Sequence, residues 1–379
     1  MKVLIVGGGI GGLSAALALD GTGHQVTLWE QAPAFTGVGA GIVLAANATR
    51  ALGALGVDAL SRWQPLGFMD LSGPDGATLQ RLEVRETVGV TRPGLHAALA
   101  AALPPTVEVK LGREVVDVIE RADGVEVRSS GAEVAQFDLV VGADGLHSKV
   151  RDIAVGPVRL RYSGVTCFRG VVKQCSAGGA LEAWGVGTRV GVVPVEGGQA
   201  YYYLVLSAEA RAAAPSWPEG FRRAFAGYTG VPGALLSALS EMPPLHHDLN
   251  ELDAPVWGKG RVLLLGDAAH GMTPNQGQGA AMAIEDGLGL ALVLADGAAG
   301  ALMRYVELRH QRARQVQLDS RRLGSVAHWQ SAVARGVRDV MMRLAPASAG
   351  RAQTRRLLAP GLALVERYQE LKTRCSKAA

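Results

Sequence analysis

A glycine-rich segment near the start of the chain has the spacing of a phosphate-binding turn. Gly7, Gly9 and Gly12 form a GxGxxG pattern directly after the aliphatic run 2–6. In a strand–turn–helix unit, the first glycine permits the turn, the second lets backbone approach a pyrophosphate, and the third lets the helix pack closely. The N-terminus of the helix would present free N–H groups to the phosphates. The predicted chemistry is therefore nucleotide binding.

An acidic residue completes this pattern. Glu30 ends a second aliphatic run, 25–30, at the place where a carboxylate accepts hydrogen bonds from ribose hydroxyls. A negative charge there disfavours a 2′-phosphate, so the tightly bound dinucleotide should not be NADP. A glycine turn without a ligand is the alternative. A P-loop is excluded because no Lys-Ser/Thr pair follows the glycines.

A second glycine-rich segment lies far along the chain. Asp267 follows the aliphatic run 261–265, and Pro274 and the run 277–280 come next. The Asp267 carboxylate would lie at the carboxyl edge of the sheet, where it could bind a polyol or cap a helix. Backbone N–H groups of residues 278–280, at a helix start, could stabilise negative charge. For His270 we prefer a structural role to that of a general base.

The elements around these segments predict an α/β fold. Strand and helix alternate at the start, which indicates a parallel sheet, and residues 162–206 are rich in strands before a strand–loop–helix returns near Gly266. We also expect a helix over 48–60 and a helical tail broken near Pro346 and Pro360. The predicted domains are a discontinuous Rossmann-type nucleotide-binding domain (1–70, 92–160 and 250–325), an inserted β-sheet substrate domain (71–91 and 161–249) and a C-terminal helical tail (326–379).

Three motifs in this order resemble one family. They are the Gly7–Gly12 turn with Glu30, the segment Gly142-Ala143-Asp144-Gly145 ending in Arg151, and the loop Gly266–Gly279. Together they resemble the group A FAD-dependent aromatic hydroxylases, the para-hydroxybenzoate hydroxylase family, over roughly residues 1–314. The resemblance implies that the Rossmann-type domain binds FAD tightly but not covalently.

The resemblance also implies roles for single residues. Gly7, Gly9 and Gly12 would hold the FAD pyrophosphate and Glu30 the adenosine ribose. Arg92 matches an arginine that contacts FAD, although it could be a solvated arginine at a helix start. Asp144 and Gly145 match a motif linked to FAD and NAD(P)H, although they could form a simple turn. The remaining cofactor-binding residues would be Asp267 on the ribityl chain or pyrophosphate, and Pro274, Gly277, Gly279 and Ala280 against the isoalloxazine ring.

The implied activity is an NAD(P)H-dependent monooxygenase. NAD(P)H would reduce FAD, the reduced flavin would react with O2, and a flavin hydroperoxide would transfer one oxygen atom to a small aromatic or heteroaromatic substrate. The chain has no second GxGxxG, which agrees with transient binding of the nicotinamide in this family. The alternatives are an epoxidase, a desaturating reductase or a halogenase, the last disfavoured because no WxWxIP segment is present, and a non-catalytic flavin-binding protein.

The strand-rich insert is similar to the urate hydroxylases of the family. Arg189 and Tyr201 lie where those enzymes carry a pocket arginine and tyrosine, and we take them as the catalytic candidates. Alternation along the strand would place Tyr201 and Tyr203 on one face and Tyr202 on the other. Asn275 replaces the aspartate that pairs with the arginine. An amide cannot form that ion pair, which argues against urate itself, and an anionic or phenolic aromatic would suit Arg189.

Composition narrows the remaining possibilities. The chain has 379 residues, 48% hydrophobic, with a net charge of +4 spread along it, which argues against a nucleic-acid-binding arm. Cys167, Cys175 and Cys375 include no CxxC pair, so we expect no disulfide framework, no metal site and a reducing cytoplasm. His246-His247 also lacks partners with metal-ligand spacing.

Membrane and subunit contacts are constrained less by the sequence. The start of the chain could pass for a secretory signal, but the glycine spacing argues against it, and the run 287–295 is too short to span a bilayer. We therefore expect no membrane partner, and a monomer or homodimer. The Arg-rich tail could dock on the FAD domain, mediate a dimer or touch an anionic membrane, and a solvated helical face is its simplest interpretation.

Overall fold

A computed structural model of the chain describes residues 1–37, 39–173, 178–239 and 243–378. The strands are β1 (Lys2–Val6), β2 (Gln25–Glu30), β3 (Gly41–Leu44), β4 (Gln64–Ser72), β5 (Thr78–Thr91), β6 (Glu108–Leu111), β7 (Val115–Glu120), β8 (Val125–Ser129), β9 (Val134–Phe137), β10 (Leu139–Gly142), β11 (Leu160–Lys173), β12 (Ala180–Trp184), β13 (Thr188–Val195), β14 (Gln199–Ser207), β15 (Leu245–Leu252), β16 (Gly258–Lys259) and β17 (Val262–Leu264). The helices are α1 (Ile10–Leu19), α2 (Ala46–Ala54), α3 (Ala59–Arg62), α4 (Arg92–Ala101), α5 (Lys149–Ala154), α6 (Glu219–Ala224), α7 (Gly230–Ser237), α8 (Asp267–His270), α9 (Gly279–Leu294), α10 (Ala301–Ala327), α11 (Ala332–Leu344) and α12 (Ala347–Ala378).

The first sheet has the order β16-β17-β10-β1-β2-β6 and is parallel except at β16. Its central strands are almost entirely buried aliphatic residues, as expected for a parallel sheet covered on both faces. The register aligns Val6 with Trp29 and with Gly142. The carboxyl ends of β1, β2, β10 and β17 therefore meet at one edge, and all three motifs begin there.

The second sheet has the order β15-β11-β14-β13-β12-β4-β5-β3. One of its faces is apolar and packs on α6 and α7; Tyr202 lies there with Phe168 and Leu204. Tyr201 and Tyr203 lie on the opposite face, which we call the inner face. The predicted alternation of the three tyrosines is therefore confirmed. The predicted α/β class, with a Rossmann-type part and a β-sheet part, is also confirmed.

Two helix predictions were wrong in detail. The helix expected over 48–60 divides into α2 and α3, because the chain turns at Gly56, which has φ +86°. The break expected at Pro360 does not occur, since α12 runs through that proline. Beyond it, Tyr368 is buried and its hydroxyl donates to Ala18 O (3.2 Å). This packing compensates for the single backbone hydrogen bond that a proline removes.

The domain division remains a proposal. The second sheet includes β3 and the first part of β4, residues that the proposed division places in the nucleotide-binding domain. Cys167 and Cys375 are free, and Cys175 lies outside the described residues. No helix in the described ranges is long and apolar enough to cross a membrane.

Close packing at Gly12 provides the first test. A Cβ at this position would lie 1.9 Å from Gly7 O. We expect Gly12→Ala to lower the free energy of unfolding by at least about 2 kcal/mol through steric strain, measured by denaturant unfolding. The control is Gly53→Ala, in α2, where an added Cβ meets nothing within 4 Å; it should be stabilised by up to about 1 kcal/mol. Equal unfolding curves for both variants would contradict this account of the turn.

Candidate active site

The first glycine turn is closely packed against the protein on one side and open on the other. A Cβ at Gly7 would lie 2.6 Å from Ala143 O, whereas a Cβ at Gly9 would meet nothing within 4 Å. The Glu30 carboxylate accepts hydrogen bonds from Gly8 N (2.6 Å) and Ala32 N (2.8 Å). Glu30 is thus held beside the turn, and the space at Gly9 could receive a pyrophosphate.

The Asp144-Gly145 segment lies at the same edge. One oxygen of Asp144 accepts a hydrogen bond from Val150 N (3.0 Å), while Oδ1 is buried and has no partner in the part of the chain that the structure describes. A buried carboxylate oxygen without a partner is costly. Its position fits a group that accepts hydrogen bonds from a cofactor or nicotinamide.

Arg151 joins two of the motifs, a role that sequence reasoning missed. Its buried guanidinium donates to Leu146 O (3.0 Å) and Ala268 O (3.1 Å). Leu146 lies in the loop after β10, and Ala268 lies in α8, which follows β17. The sequence carried a signal for this role. Arg151 lies in a short helix that follows Gly142 and Gly145 at the edge of the sheet, and a charged side chain there needs hydrogen-bond acceptors.

The loop after β17 carries Asp267 on its surface. Gly266, with φ +59°, occupies the N-cap position of α8, and the exposed Asp267 side chain makes no hydrogen bond within the described ranges. The N-cap alternative for Asp267 thus has no support. Arg92 is likewise exposed at the first residue of α4. Both charged groups are available to a ligand.

The N-terminus of α9 faces free space. Added Cβ atoms at Gly277 and Gly279 would meet nothing within 4 Å, and Gly277 has φ +63°. The helix has neither a side-chain cap nor an acidic residue in its first turn. Its N–H groups and positive dipole end could therefore stabilise an anion or a flavin ring that carries negative charge.

A buried network of charged side chains holds the loop after β17 in place. Asp286 accepts from His270 Nε2 (2.5 Å), Gly266 N (2.8 Å) and Arg309 Nε (2.7 Å). Burial by itself would raise the pKa of Asp286, but His270 and Arg309 outweigh it and lower the pKa to about 2. His270 is fully buried, which agrees with the structural role that we preferred for it.

The same network reaches the start of α9. Glu285 accepts from Arg309 (3.0 Å) and from Asn47 Nδ2 (2.7 Å), and Asn47 also donates to Gln278 Oε1 (2.9 Å). Gln278 occupies the N-cap position of α9. Buried charges thus fix both Gly266 and the helix start that a flavin would face.

Arg189 connects the inner face of the second sheet to this loop. It is 3% exposed, and its guanidinium donates to Asn275 Oδ1 (2.7 Å), Glu182 Oε1 (3.2 Å) and His328 Nε2 (2.8 Å). Asn275 is therefore a hydrogen-bond partner, and Glu182 supplies the carboxylate. The Asn275 amide forms no ion pair with Arg189, and the charge of Arg189 is paired from within the sheet instead, by Glu182.

His328 and Tyr203 complete the arrangement. Burial first, and the charge of Arg189 second, lower the pKa of His328 to about 3, so His328 stays neutral and its Nε2 can accept from Arg189. The Tyr203 ring lies over Gly191, where a Cβ would be 1.9 Å from its Cζ, and its hydroxyl donates to Glu182 Oε2. Burial raises the pKa of Tyr203.

Tyr201 lies on the same face but outside this hydrogen-bonded group. It is buried beside Ala40, Leu66 and Val193, its ring centroid is 5.7 Å from that of Tyr203, and burial raises its pKa. Sequence reasoning selected Tyr201 and placed Tyr203 on the same face, but it missed Glu182 and His328. Glu182 reaches Arg189 through the pairing of β12 with β13, and His328 comes from the end of α10.

Metal ligation has no support in the described ranges. No group of three or more His, Cys, Asp and Glu side chains is arranged to hold an ion there. His246 instead pairs with Thr166 Oγ1 (2.6 Å) and stacks on Phe168, with ring centroids 4.3 Å apart.

Residues 1–320 match the family described as FAD binding domain, and the chain belongs to that family. It is an oxidoreductase, an FAD-dependent monooxygenase. FAD is its cofactor, and NAD(P)H is the electron donor typical of the family.

Particular relatives cover nearly the whole chain. It is 35% identical to 2-heptyl-3-hydroxy-4(1H)-quinolone synthase of Pseudomonas aeruginosa, over 94% of this chain and 97% of that protein. It is also 35% identical to Aurachin C monooxygenase/isomerase of Stigmatella aurantiaca, over 94% and 98%. The structure of Klebsiella pneumoniae HpxO with FAD and uric acid has a TM-score of 0.86 and 27% identity, covering 96% of this chain and 97% of that one.

The Asp286 network predicts a pH dependence of stability. The pKa of Asp286 falls from 3.8 to about 2 on folding. A lowered acid pKa stabilises the fold fully above about pH 4, and this stabilisation, about 2 kcal/mol, is lost as the pH falls toward 2. The unfolding free-energy difference between wild type and Asp286→Asn should therefore shrink over that interval. Measured by denaturant unfolding at each pH, a constant difference would contradict the ionised state of Asp286.

The space at Gly9 predicts a defect in cofactor binding without a defect in folding. In Gly9→Ala the new methyl group has room in the protein but would occupy space intended for the pyrophosphate. We expect unfolding of the FAD-free protein to be unchanged and FAD affinity to fall at least about tenfold, measured by flavin fluorescence titration. Gly53→Ala should bind FAD normally. Wild-type affinity in Gly9→Ala would place the pyrophosphate elsewhere.

Proposed function

We propose that the protein hydroxylates a neutral, bicyclic nitrogen heteroaromatic of the 4-quinolone class. The observation that supports this most directly is the charge balance at Arg189. Its positive charge is matched by Glu182, and its remaining donors reach Asn275 and His328. A carboxylate substrate would have to compete with an internal carboxylate, whereas a neutral ring carbonyl or N–H can be bound without disturbing that pair.

The proposed pocket lies between the inner face of the second sheet and the loop Pro274–Ala280. Its polar side is formed by Arg189, Tyr203 and Glu182, and its apolar side by Tyr201 with its buried aliphatic neighbours. Because burial raises the pKa of both tyrosines, they stay neutral and do not act as bases. An aromatic ring carrying an apolar substituent suits this combination of surfaces.

The assigned cofactor residues have distinct tasks in this proposal. The Gly7–Gly12 turn holds the pyrophosphate and Glu30 the adenosine ribose; Arg92 and Asp267 bind the middle of the cofactor. The Asp144-Gly145 segment contacts FAD and NAD(P)H. Pro274, Gly277, Gly279 and Ala280 face the flavin ring. Bound FAD would supply the redox chemistry: it would accept a hydride from NAD(P)H and activate O2, one atom of which would go to the substrate and the other to water.

Relatives support the substrate class. Two proteins that match nearly the full chain at 35% identity are named a quinolone synthase and an aurachin monooxygenase. The HpxO complex contains uric acid, which is also a bicyclic nitrogen heterocycle. We further propose a cytoplasmic location, supported by the free cysteines Cys167 and Cys375, and a monomer or homodimer.

The activity test uses the purified, FAD-loaded protein. Oxidation of NADH and of NADPH is followed with 2-alkyl-4-quinolones, quinoline carboxylates, phenols, benzoates and purines, and labelled O2 is traced into the product. We expect quinolones to stimulate oxidation and to gain one labelled oxygen. Turnover of benzoates or purines without turnover of quinolones would overturn the substrate class but not the monooxygenase activity.

Glu182→Gln tests the charge balance directly. Removing the carboxylate leaves the Arg189 charge unmatched, so the ratio of kcat/KM for a quinoline carboxylate to that for a neutral quinolone should rise about tenfold, or ~1.4 kcal/mol. The matched control is Glu86→Gln, which removes a surface partner of Arg50 (2.6 Å) and should leave the ratio unchanged. An unchanged ratio in Glu182→Gln would show that Arg189 does not select by charge.

A further inference from the structure

Helix α11 exposes one continuous apolar face. Along α11, Val333, Val337, Val340, Met341 and Leu344 follow the spacing of a single helical stripe, and they are between 53% and 77% exposed. Trp329, just before the helix, is also exposed. We call these five α11 side chains the apolar face of α11. Such contiguous exposure on one helix is unusual for a surface in contact only with water.

The opposite side of α11 is firmly attached to the protein. Arg338 is 4% exposed, its guanidinium donates to Val326 O (3.1 Å), and it lies 5.0 Å from the centre of the Trp184 ring. Ser331 caps the helix through Ala334 N. Trp184 in turn donates to Glu182 Oε1 (2.6 Å). The apolar face is therefore displayed by an anchored helix that backs onto the proposed pocket.

The charge of this region is strongly positive. Residues 329–360 contain six arginines and one aspartate, a net charge of +5, while the whole chain carries +4. The aspartate, Asp339, is paired with Arg338 (2.8 Å). Arg343, Arg351, Arg355 and Arg356 are exposed, and none has an ion-pair partner in the portion of the chain described. An apolar stripe accompanied by unpaired arginines has the chemistry of an interfacial helix on anionic lipid.

We propose that α11 docks on the surface of an anionic membrane, with its apolar face among the acyl chains and the arginines near lipid phosphates. A second copy of the chain is a poorer occupant, because a two-fold contact would bring this surface against itself and oppose two charges of +5. This proposal departs from the sequence prediction of no membrane partner, and it takes up one of the roles left open there for the Arg-rich tail, contact with an anionic membrane.

Vesicle binding by the full-length FAD-loaded protein tests this proposal. We expect cosedimentation with phosphatidylglycerol vesicles and little with phosphatidylcholine vesicles. Binding should weaken as salt rises from about 0.1 M to about 1 M, since the Debye length falls from about 10 Å to about 3 Å. Substrate is absent, so the result is independent of the substrate assay.

Variants distinguish docking through α11 from nonspecific vesicle binding. Val337→Ser/Met341→Ser should weaken binding at least about tenfold, and Arg355→Gln/Arg356→Gln about fivefold or more per charge. The matched controls are Val134→Ser and Val186→Ser, of similar exposure (56% and 54%), and Arg62→Gln; all should bind as wild type. Flavin absorbance and circular dichroism confirm that each variant is folded.

Three outcomes would overturn the proposal. The first is equal binding to both lipids, and the second is equal binding by the α11 variants and their controls. The third is no vesicle binding together with light scattering that shows a dimer for the wild type and a monomer for Val337→Ser/Met341→Ser. The last result would assign the apolar face of α11 to a second copy of the chain.

Discussion

The contact between Asp286 and its three donors is the constraint on which the flavin-facing side of the molecule depends. One carboxylate holds Gly266 N, His270 and Arg309, which belong to the loop after β17, to α8 and to α10. Burying these charges is expensive unless every one of them is paired. The network therefore has few alternative arrangements, and it fixes the position of the loop that leads to Pro274 and α9.

The fixed position of this loop determines how the second sheet contacts it. Asn275 is held by Ser320 O (2.9 Å) and Thr273 Oγ1 (3.0 Å) through its amide nitrogen, so its oxygen is directed to Arg189. An aspartate at this position could not donate to those acceptors. The amide therefore suits a site in which the positive charge of Arg189 is balanced from within the sheet, by Glu182, and not from the loop.

The local parts of the fold were predictable from sequence because short-range chemistry dictates them. The bounds of β1 and β2, the glycine turn and the start of α9 follow from aliphatic runs and from glycines with defined tasks. Glu182 and His328 were not predictable in the same way. Their relation to Arg189 depends on the pairing of β12 with β13 (Trp184 opposite Arg189) and on where α10 ends, and neither follows from residue types or spacing.

Pro360 and α11 are two places where the local sequence predicts a structure that tertiary packing overrides. A proline predicts a helix break from local terms alone, yet burial of Tyr368 and its neighbours keeps α12 continuous. In α11 the helical stripe of apolar residues predicts burial against a core, yet the side of the helix that packs is the one carrying Arg338. A guanidinium on the inside and an apolar stripe on the outside reverse the usual arrangement of an amphipathic helix. Since Arg338 contacts the Trp184 ring, and Trp184 in turn contacts Glu182, the reversed helix is connected to the Arg189 pair on the inner face of the sheet.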